Sequence, residues 1–348
     1  MLGFILRRVI VMLVTALCLT FIVFWLTNIP PNLEKIAKSE AGARITDAEV
    51  ASWLDKNGYN TPMVLRYGQW LGVLPGWVLT GDDGVTRGRC IAQGQAAEDA
   101  PRFCGVLQGD WGYSRVRRDE VTTVVGSALA ATAKLMAWVM IVMVPGALIT
   151  GVMAGMREGS RLDRGLSGFA ILTTATPEYV SGMVFIVVFT SSAVGLRWFN
   201  GSANSAVDDA TFANFTLPVL TVALYGMGYI ARMTRASMAE VMTSQYVRTA
   251  RLKGASFARI VLKHALRNAL IAPFTVIMLQ FPWLLNGVVI TESLFSYKGF
   301  GWLLVEAAGN TDIDLLLAIS VVSVLVVLVT QLISDIGYVF LNPRIRLK

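Results

Sequence analysis

Six long apolar stretches constrain this chain more than any other feature of its sequence. A helix needs roughly 20 residues to cross the hydrocarbon core of a bilayer, and all but the fourth stretch approach or exceed that length. Apolar residues make up 55% of the 348 residues and charged residues 15%, against about 25% charged in soluble domains. A soluble fold could not cover so much apolar surface. The stretches are Val9–Ile29, Leu135–Gly155, Leu166–Leu196, Phe215–Ile230, Leu270–Ile290 and Leu315–Ile333.

The apolar stretches are typical of membrane-spanning helices. They lack the alternation of polar and apolar residues that marks the strands of a membrane barrel. The first stretch follows Arg7 and Arg8 and has the flank of a secretory signal. It is too long for the core of such a signal, and no small-x-small cleavage site follows it. We therefore expect a retained first span in an all-α bundle of six transmembrane helices.

Lys and Arg are distributed unevenly between the segments that connect the spans. If the N-terminus lies inside, the inner segments are 1–8, 156–164, 232–268 and 341–348, with 16 basic and three acidic residues. The outer segment 31–120 has 11 basic and 12 acidic residues. This asymmetry predicts that both termini are cytoplasmic. It also accounts for the net charge of +7, so we expect no nucleic-acid partner.

The outer segment contains a capping box and a pair of cysteines. Thr46 and Glu49 have capping-box spacing and predict a short amphipathic helix. Residues 75–106 lack periodicity and predict a loop. Cys90 and Cys104 would close a 15-residue ring, worth about 3 kcal/mol in the chain-entropy model. Metal binding is the weaker alternative because the segment has no His, and we predict no metal site.

The segment between the fourth and fifth spans has two amphipathic helices around a glycine. Residues 244–253 predict a short helix that ends at Gly254, and residues 256–268 predict a second one. Arg259, Lys263 and Arg267 recur every four residues and form a basic stripe. The opposite side carries Phe257, Ile260, Val261, His264 and Ala265. The pattern suits a helix that docks in a groove of another protein, and equally one held by anionic lipid.

A few polar residues lie within the predicted spans, where they are costly. Glu178 follows Pro177 in the third stretch, and Gln280 and Asn286 lie in the fifth. These three residues either line a transport pathway or hydrogen-bond between helices. We expect a set of aromatic residues near the end of the chain to anchor at the membrane interface. That set is Phe295, Tyr297, Phe300 and Trp302.

The glycine-containing segment resembles the coupling loop of ABC importer permeases of the oligopeptide/dipeptide/nickel subfamily. The general motif of these permeases is Glu-Ala-Ala followed by Gly. Thr249-Ala250-Arg251 stands in place of the triplet, and Gly254 has the expected spacing. Further segments that match in the same order are Arg7-Arg8, Gly58-Tyr59-Asn60-Thr61-Pro62, Gly109-Asp110-Trp111-Gly112-Tyr113-Ser114, Arg157 to Asp163, Glu292-Ser293-Leu294-Phe295 and Asn342-Pro343-Arg344-Ile345-Arg346.

The resemblance implies a type I importer permease that forms half of a translocation pathway for di- or oligopeptides. Its partners would be a second homologous permease, two cytoplasmic ATPases, an extracytoplasmic binding protein and the lipid bilayer. Oligosaccharides, nickel complexes and peptide-like antibiotics are alternative cargoes, and a stand-alone secondary transporter is the rival class. The ATPases would contact Tyr246, Arg248, Thr249, Ala250, Arg251, Lys253, Gly254, Ala255 and His264.

The chain itself offers no site for nucleotide. It contains no Gly-Lys pair and therefore no P-loop, so we expect a non-catalytic subunit without a cofactor. ATP and Mg²⁺ would be bound by the partner ATPases.

Four segments follow from this interpretation. Residues 1–30 are the N-terminus and first span, and 31–120 the extracytoplasmic segment, in which 75–106 departs from the family as an insert. Residues 121–341 are a five-helix core that includes the coupling loop at 239–269. Residues 342–348 are a cytoplasmic tail.

Overall fold

The computed structural model is predominantly helical. It describes residues 2–42, 44–81, 84, 86–91, 95–191 and 196–341, so the predicted tail at 342–348 lies outside the described residues. The α-helices are α1 Leu2–Thr27, α2 Pro30–Ala41, α3 Asp47–Lys56, α4 Met63–Leu71, α5 Val121–Gly155, α6 Arg161–Ala175, α7 Glu178–Thr190, α8 Phe212–Met242, α9 Gln245–Leu252, α10 Phe257–Arg259, α11 Leu266–Ala269, α12 Ile271–Leu294, α13 Phe300–Gly309 and α14 Ile313–Leu341.

Short strands and tight helical turns complete the described elements. Strands β1 Val78–Thr80 and β2 Thr86–Gly88 pair antiparallel, as do β3 Tyr113–Ser114 and β4 Asp119–Glu120. A π-helix at Ile260–Ala265 joins α10 to α11. Short 3₁₀ turns lie at Ala97–Asp99, Val106–Gln108 and Asn204–Ala206.

Within the described part of the chain, four helices are long and apolar enough to cross a membrane, and two bent helix pairs raise the number of candidate spans to six. The four are Ile5–Thr27, Val121–Gly155, Phe212–Met242 and Ile313–Gly337. The pairs are Arg161–Ala175 with Glu178–Thr190, bent by 103°, and Phe257–Ala269 with Ile271–Gln280, bent by 50°. All six predicted stretches overlap one of these candidates.

The third predicted stretch, 166–196, does not form one continuous helix. Helix α6 ends at Ala175, Thr176 is extended at φ −90° and ψ 118°, and α7 starts after Pro177. Proline has no N–H for a helical hydrogen bond, and its ring disfavours helical geometry at the preceding residue. These two properties of Pro177 together break the helix between α6 and α7.

The chain forms two compact units. The first comprises Met1–Met12, Ser127–Val305 and Leu325–Lys348. In it α8 packs against α6, α7 and α12, and the core includes Leu135, Met143, Leu217, Ile230 and Leu284. Helices α5 and α8 approach closely at glycines: a Cβ on Gly155 would lie 2.5 Å from the Arg235 carbonyl oxygen. Small residues allow such close backbone approach between membrane helices.

The second unit comprises Leu13–Gly126 and Glu306–Val324. Phe24, Trp70, Leu317 and Val321 form its buried core. The predicted capping box is present at α3: the Thr46 N–H donates to Glu49 Oε2 at 2.7 Å, and the Glu49 N–H donates to Thr46 Oγ1 at 3.4 Å. Hydrogen bonding from Thr46 lowers the pKa of the Glu49 carboxyl.

Residues 75–106 are not wholly a loop, contrary to the prediction from their sequence. They contain the β1–β2 hairpin, in which Leu79 pairs with Arg87. Both strands are three residues long, which is too short for alternation of polar and apolar residues to be recognised.

Candidate functional site

The segment between α8 and α12, residues 243–270, forms an elbow of two short helices. Ser244 precedes α9, and Gly254 follows it with φ +77°. The Ala255 N–H returns to the Ala250 carbonyl at 3.2 Å. This left-handed conformation is unfavourable for residues with a Cβ. Glycine at 254 therefore sets the direction in which the chain leaves α9.

The second half of the elbow has the predicted basic and apolar sides. Arg259, Lys263 and Arg267 are exposed, whereas Ile260, Val261 and Ala265 are buried and His264 is half-buried. The π-helix at Ile260–Ala265 was not predicted, because the apolar residues of so short a segment also fit ordinary α-helical spacing. Phe257, placed on the apolar side by sequence, is instead 42% exposed and lies under the Arg157 guanidinium at 5.7 Å.

The elbow is anchored to α8 and to the end of α5. Val247, Ile260, Val261, Ala265 and Ala269 share a buried cluster with Met238, against which Val152 and Met156 also pack. Ser237 Oγ donates to the Ala269 carbonyl at 2.9 Å, and Asn268 Nδ2 donates to the Tyr246 hydroxyl at 2.9 Å. These contacts hold both halves of the elbow in a defined position.

The outer side of the elbow exposes apolar and basic residues together. Leu252 is 81% exposed and Leu262 68%. Val247 lies within the cluster with Met238. Of the sequence-predicted residues, Ala250 and Ala255 pack against that cluster, and the others contribute to the exposed surface or its edge. Those exposed are Tyr246, Arg248, Thr249, Arg251, Lys253 and Gly254, with Ala255 and His264 partly covered. Large exposed apolar residues beside basic ones are typical of a surface that binds another protein or an anionic membrane.

An ion pair that sequence reasoning missed joins α6 to α8. Arg235 Nε and Nη2 donate to Asp163 Oδ1 and Oδ2 at 2.6 and 2.7 Å. The same carboxylate accepts from the Gly159 N–H at 2.8 Å and from Ser167 Oγ at 3.0 Å. Arg235 was explained in the sequence analysis by the excess of basic residues on the inner side. No local pattern indicated that it pairs with a residue 72 positions away.

The break between α6 and α7 places Glu178 at the start of a helix. Its side chain is 8% exposed, and its Oε2 atom accepts no hydrogen bond from the residues that the structure describes. Gln280 is also 8% exposed and lies on α12, which packs against α7. Asn286 lies on α12 too, but its side chain is outside the described residues. The structure thus places all three residues on two packed helices.

A second buried carboxylate, also missed by sequence reasoning, organises the turn after α12. Glu292 is fully buried, accepts from the Thr132 hydroxyl through Oε1 and from the Trp302 N–H at 2.9 Å through Oε2. The Phe300 N–H donates to Thr132 Oγ1 at 2.7 Å. A Cβ on Gly299 would overlap the Glu292 carboxylate, so the turn requires glycine there.

The aromatic residues around this turn do not form the expected interfacial anchor. Phe295 and Tyr297 are fully buried, and Phe300 is 6% exposed. The Tyr297 hydroxyl donates to the Ala131 carbonyl at 2.8 Å, and its ring lies 5.6 Å from that of Phe215. Sequence alone does not distinguish a buried aromatic residue from one at an interface.

In the second unit, Cys90 and Cys104 form a disulfide with an S–S distance of 2.03 Å and a Cα–Cα distance of 5.5 Å. A cavity of about 980 Å³ lies beside this disulfide and is lined by aromatic and arginine side chains. Among the residues that the structure describes, no cluster of three His, Cys, Asp or Glu side chains is arranged to hold a metal.

Residues 147–347 match the family model of the binding-protein-dependent transport system inner membrane component. A probable peptide ABC transporter permease of Sinorhizobium fredii is 30% identical, over 99% of each chain. The oligopeptide transport system permease of Bacillus subtilis is 27% identical, also over 99% of each chain. The glutathione transport system permease of Escherichia coli is 34% identical over 70% of this chain and 76% of its own.

The family match covers more than half of the chain, and the relatives extend it over the full length. The resemblance recognised in the elbow residues is confirmed, as is the helical membrane permease fold. This chain belongs to the family of binding-protein-dependent transport system inner membrane components.

Proposed function

We propose that this transport permease carries peptides and takes its energy from partner ATPases through the elbow at 243–270. Relatives named for peptides, oligopeptides and glutathione support the cargo class. A second homologous permease would complete the pathway, and an external binding protein would deliver the peptide. Both termini would be cytoplasmic, on the side of the basic segments.

The observation that carries the coupling role is the exposed side of the elbow. Leu252 and Leu262 project from a segment whose other side is anchored on α8. Exposed leucines beside arginines fit a groove that is apolar at its centre and acidic at its rim. Because no P-loop occurs in this chain, ATP and Mg²⁺ would bind to the ATPases. The conformational change that accompanies hydrolysis would be transmitted to the spans through this contact.

Glu178, Gln280 and Asn286 would contribute to the pathway. A carboxylate at a helix start in the bundle, with one oxygen atom that accepts no hydrogen bond from the described residues, suits the amino group of a passing peptide. Burial of such a group without a partner is costly, and this cost favours binding over a purely structural role.

The coupling role is tested by Gly254→Val in the assembled importer. A side chain at φ +77° costs about 1–2 kcal/mol, which changes a conformational equilibrium by about 5–30-fold. No atom lies within 4 Å of a Cβ at this position, so the fold should survive. We expect peptide uptake per ATP hydrolysed to fall by that factor while the ATPases still co-purify.

Gly109→Val is the matched control, because Gly109 has φ +89° and equally open surroundings but lies outside the elbow. Its uptake per ATP should stay at the wild-type value. Equal ratios in the two variants would refute the coupling role. Uptake of nickel or an oligosaccharide, without peptide, would refute the cargo class alone.

A further inference from the structure

The 980 Å³ cavity of the second unit is within the size range of small-molecule sites. Its walls come from the end of α1, from α2, α3 and α4, from the β1–β2 hairpin and from the start of α14. All of its described lining residues belong to the second unit, whereas Glu178, Gln280 and Asn286 belong to the first. The cavity is therefore lined by none of the proposed pathway residues.

Aromatic rings form rigid walls in this cavity. Trp53 and Tyr59 stack with ring centroids 5.7 Å apart, and the Arg66 guanidinium lies 4.8 Å from the Tyr59 ring. Trp77 packs against the backbone of Gly58, where a Cβ would be 2.7 Å from the indole. Such walls suit an apolar or aromatic group of a ligand.

The residues of the insert hold one arginine in this wall. The Arg89 N–H donates to the Trp77 carbonyl at 3.0 Å, and the next residue, Cys90, is bonded to Cys104. A Cβ on Gly76 would be 2.5 Å from the Cys90 sulfur, which shows how tightly the disulfide packs here. Arg89 and Trp77 are thus fixed side by side.

Two polar atoms of the lining are buried without a hydrogen bond from or to any residue that the structure describes. One is the donor Arg89 Nε and the other the acceptor Gln69 Oε1. Buried polar groups normally have partners, and leaving one unpaired costs free energy. By contrast, Arg66 donates to the Tyr59 carbonyl at 3.3 Å and to Asn28 Oδ1, and Arg115 pairs with Glu40 at 3.1 Å.

The charges of the described lining favour a ligand with both an acceptor and a donor. Four arginines line the cavity, Arg66, Arg87, Arg89 and Arg115, with two acids, Glu40 and Asp314. The net positive charge favours a carboxylate, and the acids together with Gln69 Oε1 can accept from an ammonium or amide N–H.

We propose that this cavity binds an amino acid or short peptide with an apolar side chain, through its free carboxylate at Arg89 and its N–H group at Gln69. The side chain lies between the rings of Trp53, Tyr59 and Trp77. Trp77 and Arg89 both lie in residues 75–106, which the disulfide between Cys90 and Cys104 stabilises. The inference does not rest on the proposed function, since binding here requires neither ATP nor translocation.

The test measures binding to the full-length chain in nanodiscs, with whatever subunits co-purify and without ATP. The probe is the dipeptide Phe-Ala, followed by titration calorimetry and by tryptophan fluorescence. We expect saturable binding, weakened by about 10- to 100-fold in Arg89→Gln, the effect of losing a hydrogen bond to a charged group. The C-terminal amide of Phe-Ala should bind to the wild type as weakly as the free dipeptide does to the variant.

Two further variants assign the binding to this cavity. Arg102→Gln is the matched control, because Arg102 is exposed on the same insert and does not line the cavity, and it should bind as the wild type does. Glu178→Gln, which alters the proposed pathway instead, distinguishes binding there from binding in this cavity. Free-thiol analysis verifies the disulfide in each variant.

Equal affinities of Arg89→Gln and Arg102→Gln, or equal binding of the amide, would overturn the proposal. So would loss of binding in Glu178→Gln alone, which would assign the peptide to the pathway. A phospholipid that co-purifies with the wild type and is lost in Arg89→Gln would show a lipid site instead. If the proposed importer function is wrong, the peptide uptake measured above will differ from the expected result. Binding of Phe-Ala to this cavity will be unaffected.

Discussion

Substituting Arg235 tests whether the contact between α6 and α8 is an essential ion pair. The Asp163 side chain is 3% exposed and Arg235 31%, and the guanidinium donates twice to the carboxylate at 2.6 and 2.7 Å. Removing one partner of a buried pair costs about 3–5 kcal/mol, because the other charge is left uncompensated. Since Arg235 keeps partial contact with solvent, we expect Arg235→Ala to lower the free energy of unfolding by about 3 kcal/mol.

A double-mutant cycle separates the pair from its surroundings. Asp163→Asn removes the charge and leaves a side chain that can still accept from Gly159 or Ser167, so a cost of about 1.5–3 kcal/mol is expected. In the double variant no charge remains buried. Its loss should therefore be smaller than the sum of the single losses by about 1.5–3 kcal/mol.

Unfolding by SDS in mixed micelles, followed by tryptophan fluorescence, measures each free energy. Arg232→Ala is the matched control: Arg232 is exposed one turn away on the same helix, and its loss should change stability by no more than about 0.5 kcal/mol. A coupling energy within about 0.5 kcal/mol of zero, or equal losses for Arg232→Ala and Arg235→Ala, would refute the reasoning.

Three further substitutions test other features of the molecule. Gly299→Ala should destabilise the chain by about 1–3 kcal/mol through overlap with Glu292, whereas Gly309→Ala, which has open space, should not; equal unfolding curves would contradict this. Cys90→Ser, made in a Cys18→Ser background because Cys18 is a free cysteine, should leave one reactive thiol at Cys104. Mass spectrometry after alkylation detects this thiol, and an unalkylated Cys104 would contradict the disulfide. Glu178→Gln should reduce peptide uptake without destabilising the fold, and unchanged uptake would exclude a pathway role.

The features predicted from sequence are those encoded within a few residues. The capping box at Thr46 and Glu49 depends on a spacing of three, and the turn at Gly254 on one left-handed residue. The basic stripe of Arg259, Lys263 and Arg267 depends on helical periodicity alone. Each pattern is repeated in the structure because neighbouring residues determine it.

The features that were missed depend on contacts between distant parts of the chain. Asp163 meets Arg235 across 72 residues, and Thr132 meets Glu292 across 160. No local pattern marks either pair. The break at Thr176 and Pro177 had a local signal in the proline, but membrane helices often contain proline without breaking. The domain division and the roles of the elbow and pathway residues remain predictions.

The packing around α8 gives a physical reason for the proposed coupling. Its end adjoins the elbow through Ser237 and Met238, and Arg235, less than one turn away, is bonded to α6. Along its length it meets α5 and α6 at glycines, where a Cβ on Gly228 would be 2.5 Å from the Ala170 carbonyl. Close-packed interfaces of this kind deform little, so a displacement of the elbow would move α6 along with α8. Because the helix pair is broken at Thr176 and Pro177, that movement would change the angle between α6 and α7 beside Glu178.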